Sequence, residues 1–322
     1  MRPQSLREVL SRRVHVAELR QRAVSYVQSL PPLEMLGRSV QGERLVVLRS
    51  LVGERRVVVL DHPVKPVSRY RYPDQGHEEL NALLSERTDD YAELLARFLP
   101  FREALSVIPA DPSANPLEPN WRNEWQPPLD GIALYCLLRL HKPRRYFEIG
   151  SGVSTQFVRR AVEDGDSSTL IVSIDPKPRQ DIDQLCDRVH RQPLEDVDLA
   201  VFDELEAGDV LFFDGTHRAF MNSDVTVFFL EVLPRLPAGV LIGIHDIYLP
   251  FDYPDDVAER YYSEQYVLGT RLLAQGRAAH IVLPTAFVAA NPIDHPSLSQ
   301  FEAMLGERIT KPLKGSSFWL RT

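Results

Sequence analysis

Several short apolar runs in the second half of the chain end in residues that bind ligands or move protons. They are Gly150-Ser151-Gly152, Asp175, Asp214 with His217, and His245-Asp246. Carboxylates accept hydrogen bonds from a sugar diol or bind a divalent cation, and a histidine accepts a proton near neutral pH. In an open α/β sheet, ligands bind beyond the carboxyl ends of the strands, so these residues are the first candidates for a site.

The glycine-rich turn is the first of these groups. It lies in the sequence Glu148-Ile149-Gly150-Ser151-Gly152-Val153-Ser154-Thr155. Two glycines let the backbone pass close to a ligand, and the N-terminus of the following helix favours an anionic group. A dinucleotide-binding motif has Gly or Ala where this chain has Thr155, which disfavours a pyrophosphate ligand. A tight strand-to-helix turn without any ligand is the alternative.

Asp175 strengthens the prediction of a bound nucleoside. It follows Ser173-Ile174 and lies 25 positions after Gly150. An acid at the end of the second strand is suited to accept both hydrogen bonds from a ribose diol. A turn aspartate before Pro176 is the alternative. If a nucleoside binds here, Asp175 and the glycine turn must lie side by side.

Asp214, His245 and Asp246 are candidate ligands of a divalent cation. Oxygen and nitrogen ligands from adjacent strand ends could hold Mg²⁺ or a similar ion, which would lower the pKa of an acceptor hydroxyl. Consecutive residues of a strand point to opposite faces, so His245 and Asp246 converge only if the strand has already ended. A metal-free site, or polar contacts that are purely structural, are the alternatives, and all stay open at this point.

The order of the elements predicts an α/β fold. From Asp130 onward, strand-like runs alternate with helical patterns, which indicates a doubly wound, seven-stranded, mostly parallel sheet covered on both faces. The strand-like runs are Arg145–Ile149, Leu170–Ile174, Val189–Leu194, Asp209–Phe213, Val240–Ile244, His280–Leu283 and Ser317–Leu320. The helical segments are Thr155–Glu163, Asp181–Val189, Ala219–Leu236 and Asp255–Gln275.

The rest of the chain divides into two further parts. Residues 109–129 are rich in proline, asparagine and tryptophan and are predicted as a linker or covering loop before a domain of residues 130–322. Asp130 is the predicted N-cap of the first helix of that domain. Residues 1–108 are predicted as a small α+β extension, with elements at 5–30, Leu45–Leu48, Val57–Leu60 and Glu78–Leu99.

Composition and charge restrict the partners. The formal net charge is −8; residues 1–129 carry 18 basic and 17 acidic side chains, and residues 130–322 carry 19 and 28. An acidic domain would repel a phosphate backbone, so we expect no nucleic acid partner. Two cysteines are too few for a disulfide framework, and no apolar run is long enough for a signal or membrane segment. A cytoplasmic protein is expected, and dimerisation through the N-terminal helix stays open.

These motifs together resemble those of a known enzyme family. Glu148-Ile149-Gly150-Ser151-Gly152 with Ser173-Ile174-Asp175 is similar to the first two motifs of class I S-adenosylmethionine-dependent methyltransferases. The runs Asp209–His217 and Gly239–Asp246 resemble the subgroup of metal-dependent sugar O-methyltransferases and the related cephalosporin hydroxylase. The resemblance covers about residues 120–322 and implies a Rossmann-like methyltransferase fold. Its cofactor has no pyrophosphate and carries a positive sulfonium, which agrees with Thr155 and with an acidic domain.

The resemblance also implies roles for individual residues. The expected cofactor-binding residues are Glu148, Gly150, Ser151, Gly152, Ser154 and Asp175. Asp214, His245 and Asp246 match the positions of the metal ligands of metal-dependent relatives, although those relatives have an acidic pair where this chain has His245-Asp246. His217, with Asp214, is the expected catalytic pair, and His217 matches a histidine proposed as the base in some relatives. The substrate would be a small-molecule acceptor, methylated at a hydroxyl oxygen.

Three alternatives to this function stay open. A hydroxylase on the same fold would release an oxidised product. A non-catalytic protein would retain the cofactor site and function in cells without Asp214 or His217. A nicotinamide-dependent dehydrogenase is disfavoured by Thr155, because its cofactor contains a pyrophosphate.

Overall fold

The computed structural model describes residues 66–178, 181–292, 295–309 and 313–322. Residues from Pro66 to Thr322 form one compact unit. This unit begins before residue 130, where the sheet domain was expected to start, because helices before that point pack into the same core as the sheet. The elements predicted at 5–30, Leu45–Leu48 and Val57–Leu60 lie outside the described residues.

The described strands and helices alternate through most of this unit. The strands are β1 (Arg145–Ile149), β2 (Leu170–Ile174), β3 (Arg188–His190), β4 (Val210–Phe213), β5 (Leu241–Ile244), β6 (His280–Pro284) and β7 (Phe318–Arg321). The α-helices are α1 (Glu78–Ser85), α2 (Thr88–Phe98), α3 (Arg102–Ser106), α4 (Pro128–His141), α5 (Val153–Asp164), α6 (Asp224–Val227), α7 (Leu233–Arg235), α8 (Asp255–Ala258), α9 (Glu264–Gln275), α10 (Thr285–Ala290) and α11 (Pro296–Leu305).

The strands form a seven-stranded sheet in the order β3-β2-β1-β4-β5-β7-β6. Neighbours from β3 to β5 are parallel, whereas β7 runs antiparallel to both β5 and β6. The predicted doubly wound, mostly parallel sheet is confirmed. The winding reverses between β1 and β4, which is where an open α/β sheet has its ligand crevice.

The central strands are apolar because both of their faces are covered. All four residues of β4 and all four of β5 are buried, as expected for parallel strands between two layers of helices. Ten consecutive residues of α4, from Leu129 to Leu138, are also buried. With 14 residues, α4 is the longest described helix. None of the described helices is long and apolar enough to cross a membrane.

The helix predicted over Asp181–Val189 is wrong. Within the described part of that range there is only a 3-10 turn at Asp183–Leu185, followed by β3. The reason is a pair of tertiary hydrogen bonds. The amide of Asp187 donates to the carbonyl of Ile171 (2.8 Å), and its carboxylate accepts from the amide of Ile171 (2.8 Å). These bonds hold the segment in extended form beside β2.

Two other predicted helices are shorter than the sequence pattern indicates. The helical region expected over Ala219–Leu236 begins only at Asp224 and contains a π-helical turn at Phe228–Val232. The helix expected over Asp255–Gln275 divides into α8 and α9. The break contains Tyr261 in the left-handed region (φ 56°). There the amide of Ser263 donates to the carbonyl of His217 instead of continuing a helix.

Asp130 is not an N-cap, because it lies inside the first turn of α4. Its buried carboxylate instead accepts hydrogen bonds from the chain that leads into β7. Oδ2 accepts from the amide of Ser316 (2.7 Å), and Oδ1 accepts from the amide of Ser317 (3.0 Å) and the hydroxyl of Thr285 (2.6 Å). Burial by itself would raise the pKa of Asp130, but these partners and His245 hold it below its ordinary value. Asp130 therefore joins α4, β7 and α10.

The substitution Asp130→Ala should lower the free energy of unfolding by about 3–5 kcal/mol, because it leaves several buried donors without an acceptor. Urea denaturation measures this change. Glu93→Ala, at an exposed position of α2, is the control and should change stability by less than about 0.5 kcal/mol. A similarly small loss for Asp130→Ala would contradict the role of Asp130 as a buried junction.

Candidate active site

The register of the parallel strands brings four predicted site positions to one edge of the sheet. Ile149, which ends β1, pairs with Ile174 of β2 and with Phe213 of β4. Phe213 in turn pairs with Ile244 of β5. The residues that follow these strand ends are Gly150, Asp175, Asp214 and His245. They therefore line adjacent positions at the edge where the winding reverses.

The turn after β1 requires glycine at its first position. Gly150 is in the left-handed region (φ 79°), and a Cβ atom there would lie 1.8 Å from the carbonyl oxygen of Asp214. No other residue type fits this close approach. A Cβ atom on Gly152, by contrast, would meet no described atom within 4 Å. The turn thus packs tightly against β4 on one side and leaves open space at Gly152.

Asp175 lies beside this turn, as the nucleoside hypothesis requires. Its Oδ2 accepts a hydrogen bond from the amide of Ser151 (2.8 Å), and its Oδ1 accepts from the amide of Lys177 (2.7 Å). The side chain is half-buried. A carboxylate oxygen accepts more than one hydrogen bond, so each oxygen retains capacity for a ligand hydroxyl.

Glu148 lies beneath the turn and is completely buried. It accepts hydrogen bonds from the hydroxyls of Tyr146 (3.0 Å) and Thr155 (2.5 Å). The Thr155 hydroxyl in turn accepts from the amide of Gly152 (3.1 Å). Burial raises the pKa of Glu148 to about 7, against the hydrogen bonds that favour its charged form. Glu148 therefore supports the turn through Thr155, which occupies the position of the third glycine in dinucleotide-binding motifs.

A cleft opens above the turn, with about 350 Å³ of empty volume, part of it open to solvent. Its lining includes Trp125, Gln126, Ser151, Gly152, Val153, Ser154 and Asp214. Two of these residues begin α5, so the N-terminus of this helix lies at the cleft. The cleft thus joins predicted cofactor-side residues to Asp214.

Five titratable side chains form a second group beside the cleft, with Asp214 common to both. They are Asp214, His217, His245, Asp246 and Glu264. Nε2 of His217 lies 3.4 Å from Oδ1 of Asp214 and 3.5 Å from Oδ2 of Asp246. Nδ1 of His217 bonds to Oε1 of the buried Glu264 at 2.5 Å. We call these five residues the acid–histidine cluster.

The backbone turns sharply at two members of the acid–histidine cluster. His217 (φ 65°) and Asp246 (φ 53°) both adopt the left-handed conformation, which is uncommon for residues other than glycine. β5 ends at Ile244, so the chain has already left the strand at His245. Nδ1 of His245 lies 3.5 Å from Oδ1 of Asp214 and 3.6 Å from Oδ1 of Asp246. The condition for His245 and Asp246 to converge is therefore met.

The carboxylates of the cluster raise the pKa of both histidines. Burial by itself would lower the pKa of His217. The carboxylates of Glu264, Asp214 and Asp246 outweigh the effect of burial and raise this pKa to about 9. Burial opposes the charged form of His245 in the same way, and Asp214 and Asp246 again raise its pKa well above the ordinary value. At neutral pH the His217 ring is therefore protonated when no ligand is bound. The two carboxylates are more exposed to solvent than the ring that lies between them and Glu264. The side chains of Asp214 and Asp246 are 26% and 20% exposed, and that of His217 is 8% exposed.

The predicted metal ligands Asp214, His245 and Asp246 come together. Each of the two carboxylates lies 3.4–3.6 Å from a ring nitrogen of both His217 and His245. Among the residues that the structure describes, no three His, Cys, Asp or Glu side chains form a group that could hold a metal ion. As placed, these residues do not fit a bound metal, and we derive no chemical step through one.

Two buried carboxylates of this region were not predicted from the sequence as site residues. Glu264 lies 47 positions after His217, at the start of a helix, where no local pattern distinguishes it from a surface acid. Asp130 precedes an apolar run, which is typical of a helix cap, yet its Oδ2 lies 3.6 Å from Nε2 of His245. Only the folded chain brings these acids to the histidines.

Part of the chain matches a known family model. Residues 147–247 match the family model described as a methyltransferase domain. This range begins in β1 and ends just after β5, so it contains the glycine turn, Asp175 and most of the acid–histidine cluster. No curated protein sequence matches the chain.

Several solved structures are similar to the chain at low identity. A methyltransferase of Podospora anserina bound to S-adenosylhomocysteine is 18% identical, with 66% of this chain and 93% of that one covered and a TM-score of 0.36. An O-methyltransferase of Bacillus cereus in complex with the same ligand is 16% identical, with 76% and 99% covered and a TM-score of 0.32. The branched-chain polyamine synthase of Thermus thermophilus is 14% identical, with 94% and 87% covered and a TM-score of 0.35.

The fold assignment depends on the chain's own strand order rather than on these similarities. A doubly wound sheet in the order β3-β2-β1-β4-β5-β7-β6, with β7 antiparallel, is the Rossmann-like methyltransferase architecture that the motifs imply. The family match covers the strands that carry those motifs. Residues 147–247 thus match the family model of a methyltransferase domain, and the motifs of the chain resemble those of class I S-adenosylmethionine-dependent methyltransferases.

Proposed function

We propose that the protein transfers a methyl group from S-adenosylmethionine to a hydroxyl oxygen of a small-molecule acceptor. The observation that carries this proposal is the register of the strand ends. It sets Asp175 and the glycine turn beside Asp214, which belongs to both the cleft and the acid–histidine cluster. A nucleoside on one side and proton-accepting groups on the other are what a methyl transfer to oxygen requires.

The residues of the cleft, with Asp175 beside the glycine turn, fit the proposed cofactor. Asp175 would accept hydrogen bonds from the ribose diol, and the open space at Gly152 leaves room for a ligand against the backbone. Ser151 and Ser154 line the same cleft and would contact the cofactor there. When bound, S-adenosylmethionine supplies a methyl group on a positive sulfur, and the carboxylate of Asp214 in the cleft lining favours this charge.

On the acceptor side, we assign the role of base to His217. Glu264 binds Nδ1 and fixes the ring so that Nε2 faces the two part-exposed carboxylates, Asp214 and Asp246. An acceptor hydroxyl between these carboxylates would be within reach of Nε2. Only the neutral ring can take its proton, so His217 must lose its own proton first.

Incubation with methyl-labelled S-adenosylmethionine and a set of small hydroxyl compounds tests the reaction directly. Mass spectrometry should detect a labelled, methylated product. An oxidised product would favour a hydroxylase instead. Absence of cofactor binding to the folded protein in titration calorimetry would remove the proposed function.

Asp175→Ala should weaken the binding of S-adenosylhomocysteine by about ten- to a hundred-fold, because the ribose loses a charged acceptor. Titration calorimetry measures the change. The control is Asp198→Ala, which removes a similar local bond away from the cleft: the amide of Ala200 donates to the carboxylate of Asp198 (3.0 Å). Equal affinities for wild type and Asp175→Ala would contradict the assigned role.

His217→Gln should lower kcat by about 10²–10⁴-fold while the affinity for S-adenosylhomocysteine changes little, because a base acts on the acceptor and not on the cofactor. Since the pKa of His217 is about 9, wild-type kcat should rise with pH from 7 toward about 9, and this rise should be absent in the variant. His190→Gln, at the end of β3, is the matched control. A variant with the wild-type rate and pH profile would exclude His217 as the base.

Removal of divalent cations should leave kcat unchanged, because no group of side chains that could hold a metal ion is found among the described residues. The rate is measured after exhaustive chelation and again after Mg²⁺, Mn²⁺ or Zn²⁺ is restored. A loss on chelation that one of these ions reverses would contradict the arrangement described here and restore Asp214, His245 and Asp246 as metal ligands.

A further inference from the structure

Gln126 has an unused hydrogen-bond donor beside the cleft. Its side chain lines the cleft and the residue is only 4% exposed. Its buried Nε2 has no hydrogen-bond partner among the residues that the structure describes. A buried amide without a partner costs free energy, so such a group is rare unless a ligand or water completes it.

The position of Gln126 is fixed by its neighbours. Its backbone amide donates to Oδ1 of Asn123 (2.6 Å), and Nδ2 of Asn123 donates to the carbonyl of Asn120 (2.7 Å). The unpaired side-chain amide is therefore not a result of a loosely held backbone. Preorganised groups of this kind lose little entropy when they bind a ligand.

The chain around Gln126 is held against α5. We call residues 116–126 the covering segment. Nε2 of Gln156 donates to the carbonyl of Pro116 (2.8 Å), and the buried Trp121 packs on Phe157 with ring centroids 5.2 Å apart. These contacts join the covering segment to the helix whose first residues, Val153 and Ser154, also line the cleft.

The combination of donors at this end of the cleft favours an anionic oxygen. The N-terminus of the 12-residue helix α5 presents backbone amides and the positive end of the helix dipole. An amide N–H of Gln126 adds a side-chain donor to the same cleft. A carboxylate accepts several hydrogen bonds at once and satisfies both kinds of donor.

We propose that Gln126 binds the amino-acid carboxylate of the cofactor, so that the covering segment is part of the cofactor site. The inference rests on the proposed function, because the cofactor is the ligand that brings a carboxylate and a nucleoside to one cleft. Nε2 of Gln126 donates to the carboxylate from one side, and the N-terminus of α5 faces it from the other. Asp175 holds the ribose at the opposite end of the same ligand.

The test compares two ligands that share a nucleoside. S-adenosylhomocysteine carries the amino-acid group, and 5′-methylthioadenosine lacks it. Gln126→Glu replaces the donor with a carboxylate of the same size and should weaken S-adenosylhomocysteine binding by about ten- to a hundred-fold. The affinity for 5′-methylthioadenosine should change by less than about threefold. Titration calorimetry gives both dissociation constants.

Two further variants separate binding from folding. Gln126→Met keeps the length of the side chain without its donor, and it should show the same ligand-specific loss if Gln126→Glu does not fold. Gln156→Glu applies the same change to a neighbouring buried glutamine whose amide is already paired with Pro116. It should lower the stability of the covering segment and leave the ratio of the two affinities unchanged.

The outcomes distinguish this inference from the proposed function. Wild type that binds neither ligand would overturn the proposed function and this inference together. If wild type binds both ligands and the Gln126 variants bind S-adenosylhomocysteine as tightly as wild type does, only the role of Gln126 is overturned. Equal losses for both ligands would show that Gln126 acts through the fold of the segment, which also overturns the inference. A loss confined to S-adenosylhomocysteine supports it.

Discussion

The site depends on the close approach of two strand ends. The backbone at Gly150 lies so near the carbonyl of Asp214 that no side chain fits between them. This contact is possible because β1 pairs in parallel with β4 in a register that sets Ile149 opposite Phe213. As a result, the glycine turn and the carboxylate of Asp214 line one cleft. Any residue larger than glycine would separate the two strand ends and widen the site.

Buried carboxylates lie beside both histidines of the acid–histidine cluster. Glu264 and Asp130 are both buried. Glu264 lies against His217, and Asp130 lies against His245. Asp130 has a second function, because it also accepts hydrogen bonds from the chain that enters β7. The antiparallel strand, the first helix of the sheet domain and the electrostatics of His245 are thus coupled through one carboxylate. A buried charge is stable only when it is paired and hydrogen-bonded, which explains the density of polar contacts around it.

Sequence reasoning succeeded where the information is local. The apolar runs of β4 and β5 and the glycine turn before α5 are patterns that short segments carry by themselves, and the predicted sheet follows from their alternation. It failed where a distant contact overrides the local preference. Asp187 is held beside Ile171 as a strand partner, although the segment before it has a helical pattern. Tyr261 interrupts a helical pattern because Ser263 bonds to the carbonyl of His217.

The sequence by itself therefore determined the class of fold and the order of the strand ends, and with them the pairing of the glycine turn with Asp175. The class of fold and the order of the strand ends are consequences of apolar periodicity and of the fixed handedness of parallel crossovers, which act within about thirty residues of chain. Only the tertiary structure decided which side chains surround His217 and His245, and that Gln126 lines the same cleft as Gly152. Those neighbours come from segments far apart in sequence, and no local pattern records them, because side-chain positions in a packed interior depend on the whole of the surrounding fold.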